Sequence, residues 1–365
     1  MKLVSIIGAR PQIIKAAAVT RAIAEFNTKH ADCAISETIV HTGQHYDEKM
    51  SQVFFDELDI PKPDYNLEVG SGFHGEQTGK MLQRIEAILI KEIPDLCVVY
   101  GDTNSTLAGA LAAVKFHIPV AHVEAGLRSF NRRMPEEINR VVTDHVSELL
   151  FCPTKISVDN LAKEGISAGV HQVGDVMFDC IRFYAKRANT IEQKILEGLD
   201  IRPKSYYLAT VHRAENTDDG NRLAHILEAL NDIATTVCPV VLPLHPRTVK
   251  YARKHSLEFA HYVKVIQPVS YLEMVALENN ARLILTDSGG VQKEAYWLSV
   301  PCITLRDETE WVETVESGWN ILAGADKHHI INSVRHGHRQ RDVAPESVYG
   351  NGSAANQICG ILQRI

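Results

Sequence analysis

The sequence predicts an α/β protein made of two doubly wound domains facing a cleft, each a parallel sheet wrapped by helices. Three observations predict it. Short apolar runs alternate with helical patterns from one end of the chain to the other. The runs are rich in Val, Ile and Leu without clean alternation, as strands covered on both faces should be. The chain has 365 residues, about twice the usual single-domain length.

Taken in order, the first series of strands falls at 3–7, 38–41, 96–100, 119–123 and 149–152. A helix over 76–92 carries Met81, Leu82, Ile85, Ile88 and Leu89 at helical spacing. Another, over 155–164, closes the series, and the break is expected near 165–174. The second series falls at 206–210, 240–244, 263–266, 283–286 and 302–305. The domains are therefore expected at 1–169 and 170–352. A terminal helix within 353–365 should pack back on the first domain.

Composition narrows the function classes. Hydrophobic residues make up 45% and charged residues 23%, which excludes a disordered or fibrous chain. The net charge is −7 and no basic run occurs, so nucleic acid is excluded as a partner. The apolar stretches are strand-sized, and no membrane-spanning helix is expected. The N-terminal Met1-Lys2 leads straight into a strand pattern, without a secretory apolar region. The seven cysteines are odd in number, widely spaced and free of any Cys-x-x-Cys, which reads as reduced, mostly buried thiols of a cytoplasmic protein.

In doubly wound sheets, ligands sit outside the carboxyl ends of strands, so the loops after each strand hold the chemistry. Gly8-Ala9-Arg10-Pro11 opens a helix without the dinucleotide fingerprint G-x-G-x-x-G. Arg10 there opposes the helix dipole unless an anion binds. Lys15 lies mid-stripe on the apolar face, with Ala18, Val19, Ala22, Ile23 and Phe26 within about 80° of it, so it needs a negative partner or an outward path. Asp102, after strand 96–100, is either a helix cap or a functional acid. Glu124, after strand 119–123 and before Ala125-Gly126, is harder to explain structurally. Glu136 and Glu137 follow Pro135 at a helix start, where acids also suit the dipole. Three carboxylates on one cleft would suit general acid–base work.

The second half supplies Thr286-Asp287-Ser288-Gly289-Gly290 before a helix over 291–298, a turn that lets backbone N–H groups approach an anion. Glu294 follows one turn later, where an acid holds ribose hydroxyls in dinucleotide folds. His212-Arg213 and His245-Pro246-Arg247 put cationic groups at strand ends. His41 and His45 have i,i+4 spacing but sit among turn residues rather than in a helix pattern, and His328-His329 with His336 and His338 have no nearby acids or thiols at zinc-finger spacing, so no metal is expected.

Together these motifs, with His122-Val123-Glu124-Ala125-Gly126-Leu127-Arg128 and Pro135-Glu136-Glu137-Ile138-Asn139-Arg140, resemble the non-hydrolysing UDP-N-acetylglucosamine 2-epimerases across essentially the whole chain. The resemblance implies two Rossmann-like domains of the glycosyltransferase-B type and UDP held mainly by the second. It also implies a UDP-sugar substrate, no cofactor and a homodimer. By position it makes Asp102, Glu124, Glu136 and His212 the catalytic candidates. It makes Arg10, Lys15, Arg140, Ser288, Gly289, Gly290 and Glu294 the ligand-binding candidates. The implied chemistry is elimination of UDP to a 2-acetamidoglucal and its re-addition, the departing diphosphate acidifying the C2 hydrogen. Rival readings are a glycosyltransferase using a UDP-sugar donor, a hydrolysing relative and a non-catalytic nucleotide-sugar sensor.

The chain departs from the best-known members. Trp311 stands where they carry an arginine, with Arg306 as a nearby substitute. Val269 and Met274 stand where a Gln and an aromatic residue line the nucleotide pocket. Asp47 replaces a Gln associated with an activating second UDP-sugar site. The stretches 41–47 and 305–311 look closer to the branch acting on UDP-2,3-diacetamido-2,3-dideoxy-glucuronate, whose extra carboxylate needs a cation. Arg128, Arg132 and Arg133 are available for it.

Overall fold

The computed structural model describes residues 1–43, 61–336 and 348–364. Within these, the chain forms two compact units, one of Met1–Cys180 with Val348–Ile365 and one of Ile181–Ser347. The sequence puts the division at 169/170. The contacts put it at 180/181, because the short strand Val170–Gln172 pairs with Leu149–Cys152 and keeps its segment on the first sheet.

The first unit holds strands β1 (Lys2–Ile7), β2 (Ser36–His41), β3 (Tyr65–Asn66), β4 (Leu96–Tyr100), β5 (Val120–Val123), β6 (Leu149–Cys152) and β7 (Val170–Gln172). They lie in the order β3-β2-β1-β4-β5-β6-β7, every neighbouring pair parallel. The sequence misses β3 and β7, edge strands of two and three residues that are too short to show a period. Helices α1 (Arg10–Lys29), α2 (His74–Glu92), α3 (Asn104–Lys115), α4 (Pro135–Val146) and α5 (Lys155–Lys163) follow in chain order, and α6 (Val176–Ala188) carries the chain across the division at 180/181. Val4, Ile6, Cys97 and Val99 pack against Met81, Ile85 and Ile88 of α2 and Ala108 and Ala112 of α3.

The second unit holds α7 (Glu192–Gly198), β8 (Tyr207–Thr210), α8 (Ala214–Thr217), α9 (Gly220–Thr236), β9 (Val240–Pro243), α10 (Pro246–Lys254), β10 (Val263–Ile266), α11 (Tyr271–Asn280), β11 (Leu283–Thr286), α12 (Gly289–Trp297), β12 (Cys302–Thr304), α13 (Val312–Glu316), β13 (Asn320–Leu322) and α14 (Lys327–His336). Its order is β10-β9-β8-β11-β12-β13, again all parallel. Tyr207 and Ala209 point to Leu223, Ile226 and Leu230 of α9. Tyr206 and Leu208 point the other way, to Leu277 and Ala295. Burial on both faces is why these strands read as unbroken apolar runs.

The final helix α15 (Ala354–Leu362) belongs to the first unit and packs on α1. The Asp179 carboxylate accepts the Ala354 and Ala355 N–H groups at 3.1 and 2.8 Å, satisfying the free donors of its first turn. All seven cysteines are unpaired, and only Cys33 is exposed. Burial pushes the Cys97, Cys152, Cys302 and Cys359 thiols up to about 12. No helix among the described residues is long and apolar enough to cross a membrane.

Candidate active site

In each sheet the strand order reverses direction between two neighbours, β1 and β4 in the first unit and β8 and β11 in the second. Crossovers leave those two strands on opposite faces, so a crevice opens at their carboxyl ends. The loops that follow all four strands carry predicted site residues.

In the first unit, Gly8 follows β1, and an added Cβ would stand 2.0 Å from Ser105 Oγ and 2.2 Å from Thr42 Oγ1. Only a bare Cα fits between those hydroxyls. Ala9, whose side chain cannot hydrogen-bond, occupies the N-cap of α1, and Gln12 reaches back to the backbone N–H groups just before the helix. Gln12 Oε1 accepts the Gly8 and Ala9 N–H groups, while its Nε2 donates to Tyr100 O at 2.7 Å and Thr106 Oγ1 at 3.0 Å. This single side chain ties the β1 loop to β4. Its signal was a Gln at the third position of the helix, the place from which a capping-box side chain reaches back.

Arg10 is exposed at the start of α1, which has no acid in its first turn. Lys15, one turn on, is buried and ion-paired with Glu124. Gly101 borders the pair: a Cβ there would lie 3.0 Å from Lys15 Nζ and 3.3 Å from Glu124 Oε2. Glu124 itself has φ +76°, a left-handed conformation unusual for a side chain of its size. It is held there because the Glu124 and Ala125 N–H groups both donate to Phe151 O, each at 3.1 Å.

Asp102 does not cap α3; Thr103 does. Arg140 instead donates to Asp102 Oδ2 from Nε at 3.1 Å and Nη2 at 2.8 Å. Asn139 Nδ2 donates to the Asp102 carbonyl at 2.9 Å. Glu136 shares a face of α4 with Asn139 and Arg140, three and four residues on, and so lies on the side that reaches Asp102. It is half-buried and forms no ion pair among the described residues. The adjacent Glu137 is a different kind of group. It is buried and accepts Arg140 Nη1 at 2.6 Å and the Ser129 and Phe130 N–H groups, each at 2.9 Å.

Behind these residues sits a buried charged network. His122 contacts Asp144 Oδ1 through Nδ1 and Gly101 O through Nε2, both at 2.7 Å. Arg128 donates to Asp144 Oδ2 at 2.7 Å and, as a fork, to Glu164 at 2.7 and 2.8 Å. Burial works against the charge on Asp144, but His122 and Arg128 outweigh it and hold its carboxyl below the usual range. Arg128 is thereby committed to the scaffold, which removes it from the cations available to a substrate carboxylate. Arg132 and Arg133 are exposed.

In the second unit, Asp287 ends β11 fully buried and organises the loop after β8. Its carboxylate accepts the His212 N–H at 3.0 Å, the Arg213 N–H at 2.9 Å and Asn216 Nδ2 at 3.2 Å. His212 Nδ1 lies 3.3 Å from Asp287 Oδ1, with the imidazole about one-third exposed. An Asp against one ring nitrogen selects the proton's place on the ring. Ser288 is the N-cap of α12 with no side-chain cap bond, so its hydroxyl is not spent on the helix. Gly289 and Gly290 form the first turn, and Glu294 is buried on the next.

Other expected cations are occupied. Arg306 is buried and paired as a fork with Glu310 at 3.1 and 3.2 Å and with Glu215 at 3.2 Å, so it does not replace the missing arginine. Arg247 is spent on Asp218 and Thr217. His245 caps α10. Val269 and Met274 pack against the apolar layer around Leu277. Burial lowers the His41 imidazole to about 4, leaving it neutral, and its Nδ1 accepts the Gly43 N–H at 3.1 Å. His45, Asp47 and His338 lie outside the described residues, and no cluster of metal-ligating side chains occurs within them.

Comparison with known proteins gives a consistent picture. The family model described as UDP-N-acetylglucosamine 2-epimerase matches residues 27–363. A UDP-2,3-diacetamido-2,3-dideoxy-D-glucuronate 2-epimerase from Pseudomonas aeruginosa is 52% identical over 369 residues, 100% of both chains. A UDP-N-acetylglucosamine 2-epimerase homolog from Methanococcus maripaludis is also 52% identical, over 372 residues and 100% of both. Among solved structures, the Methanocaldococcus jannaschii UDP-GlcNAc 2-epimerase in complex with UDP-GlcNAc and UDP is similar along 100% of both chains, with a TM-score of 0.91 and 47% identity.

Proposed function

The chain belongs to the UDP-N-acetylglucosamine 2-epimerase family, and from that premise we propose that it inverts C2 of a UDP-linked 2-acetamido sugar without hydrolysing it. The C2 hydrogen lies next to no carbonyl, so a side chain cannot remove it unaided. As the C1–O bond breaks and UDP leaves with the electron pair, positive character at C1 acidifies that hydrogen. A carboxylate takes the proton, a C1=C2 double bond forms, and the 2-acetamidoglucal and UDP are held together. Protonation of C2 on the opposite face and return of UDP to C1 complete the inversion.

Two sets of groups are needed. The departing diphosphate needs preorganised donors and positive charge. Ser288, the N–H groups of Gly289 and Gly290, His212 and Arg10 are assigned that role, and Glu294 is assigned to the ribose. Proton transfer needs carboxylates in reach of C2. Asp102 and Glu136 are assigned there, with Arg140 orienting the Asp102 carboxylate. Glu124, locked to Lys15 in a left-handed backbone, is assigned the third acid position. The observation that carries this reading is the gathering of Asp102, Glu124 and the Glu136-bearing face of α4 at the carboxyl ends of β4 and β5.

Incubation with UDP-N-acetylglucosamine in D2O tests the proposal. An epimerase places deuterium at C2 and yields the manno epimer still joined to UDP. Absence of exchange on both this sugar and UDP-2,3-diacetamido-2,3-dideoxy-glucuronate, or release of free sugar, refutes it. A uronate substrate is the second reading, favoured by the 52% identity to the Pseudomonas aeruginosa enzyme. With Arg128 committed to Asp144 and Glu164, Arg132 and Arg133 remain to meet the added carboxylate. Running both sugars decides: robust turnover of plain UDP-N-acetylglucosamine excludes a uronate preference. Homodimer formation and a cytoplasmic place are part of the same proposal.

A further inference from the structure

The position at which the best-known members carry an arginine is not simply vacated. Trp311 is 7% exposed and is fixed onto α12 by a relay of bonds. Its backbone N–H donates to Thr309 Oγ1 at 3.1 Å, and that hydroxyl donates to Gln292 Oε1 of α12 at 2.7 Å. Thr314 Oγ1 donates to the Trp311 carbonyl at 2.7 Å. The indole ring covers Lys293, whose Nζ lies 3.8 Å from the ring centroid and 5.4 Å from that of Trp297. Lys293 is 1% exposed, so a buried cation rests against the aromatic face.

The edge of the ring has a specific direction. Its Nε1 is the atom nearest to where a Cβ on Gly289 would stand, 3.1 Å away, with Arg213 Nη2 at 3.8 Å. It therefore lies beside the first residue of α12, among backbone N–H groups that have no partner inside the helix. An indole N–H donates only, and a buried one ordinarily finds an acceptor. This one meets none among the described residues, and it is not one of the fully enclosed side-chain nitrogens, so it is open to an approaching ligand. A positive charge against the ring face also draws electron density from the N–H and makes it a stronger donor.

Resting on the functional reading above, we propose that Trp311 is a diphosphate-binding residue whose indole N–H, polarised by Lys293, donates to a phosphate oxygen seated on the Ser288-Gly289-Gly290 turn. A neutral donor carried on a buried cation thus takes the place of a guanidinium. It gives direction without adding a second mobile charge to the turn.

Trp311→Phe keeps an aromatic ring over Lys293 and removes only the donor. Titration of the full-length protein is expected to show UDP binding weakened about ten-fold or more, the loss typical of a hydrogen bond to a charged group, with uridine binding unchanged within about two-fold. In the wild-type protein, the indole N–H resonance absent from the Trp311→Phe spectrum should move downfield on adding UDP and stay in place with uridine. UDP binding by Trp311→Phe within about two-fold of wild type, equal losses for UDP and uridine, or an indole resonance unmoved by bound UDP would each overturn the proposal. Wild-type protein that neither binds UDP nor exchanges C2 hydrogen brings down the functional reading itself. Normal wild-type binding with an unaffected Trp311→Phe brings down this inference alone.

Discussion

Replacing Asp287 by Asn tests whether the loop after β8 is a catalytic device or only a turn. The two side chains have the same shape, so the perturbation is one of charge and hydrogen-bond polarity. Asp287 accepts from the His212 and Arg213 N–H groups and from Asn216 Nδ2, and lies 3.3 Å from His212 Nδ1. In the variant, the remaining oxygen serves the three donors gathered on Oδ2, and the new NH2 faces the imidazole. Three charge-assisted bonds become neutral, at about 1 kcal/mol each, so the second unit should lose about 3 kcal/mol of stability. The larger effect falls on chemistry. An NH2 opposite Nδ1 forces that nitrogen to accept, which moves the ring proton to Nε2 and reverses what His212 offers a ligand. Turnover should fall about 10²- to 10⁴-fold, the usual worth of one positioned proton-transfer or hydrogen-bonding group. Deuterium incorporation at C2 reads turnover, and urea unfolding reads stability. A folded Asp287→Asn protein turning over within about three-fold of wild type would refute the assignment of His212 and of the carboxylate that aims it.

Adjacent acids of α4 should behave oppositely. Glu136→Gln should fold with stability within about 0.5 kcal/mol of wild type and lose at least about 100-fold in turnover. Glu137→Gln should cost about 1.5–3 kcal/mol in urea unfolding, because it neutralises the buried one of Arg140's two carboxylate partners while Asp102 remains. Gly8→Ala must displace the hydroxyls of Ser105 and Thr42 and should lower stability by about 1–3 kcal/mol by the same measurement. His41 resists protonation down to about 4 when folded but titrates near 6.5 when unfolded. The unfolded chain therefore binds the extra proton, and stability falls as pH drops from 6.5 toward 4, by at most about 3 kcal/mol from this group. His41→Asn should flatten that part of the pH–stability curve, and an unchanged slope would exclude the buried ring as its source.

Much of the candidate site was legible in the sequence because its residues follow strands. Arg10, Asp102, Glu124, His212 and Ser288 each stand at or just past the end of an apolar run, where a parallel sheet must open its loops. Lys15 was legible for another reason, as a charge in the middle of an apolar helix face that required an opposite charge. What stayed hidden were acids whose work depends on distant partners. Asp287, Asp144 and Glu137 look like ordinary loop, helix-end and helix-start residues until the fold brings His212, His122 and Arg140 to them. Arg128 looked free for a substrate because nothing local reveals Glu164, thirty-six residues on. Arg306 misled only in part, since Glu310 stands four residues on but nothing local discloses Glu215.

By itself, the sequence determined the architecture. Unbroken apolar runs separated by helical periods leave a parallel sheet buried on both faces as the arrangement that hides them, and strand ends then mark where chemistry can sit. Only the tertiary structure decided which charges are spent and which remain for a ligand. Pairing between charges far apart in the chain depends on strand order, and a strand order of β3-β2-β1-β4 leaves no local trace in composition or period. The edge strands of two or three residues were decided there too, because a segment so short acquires its conformation from the ladder it joins.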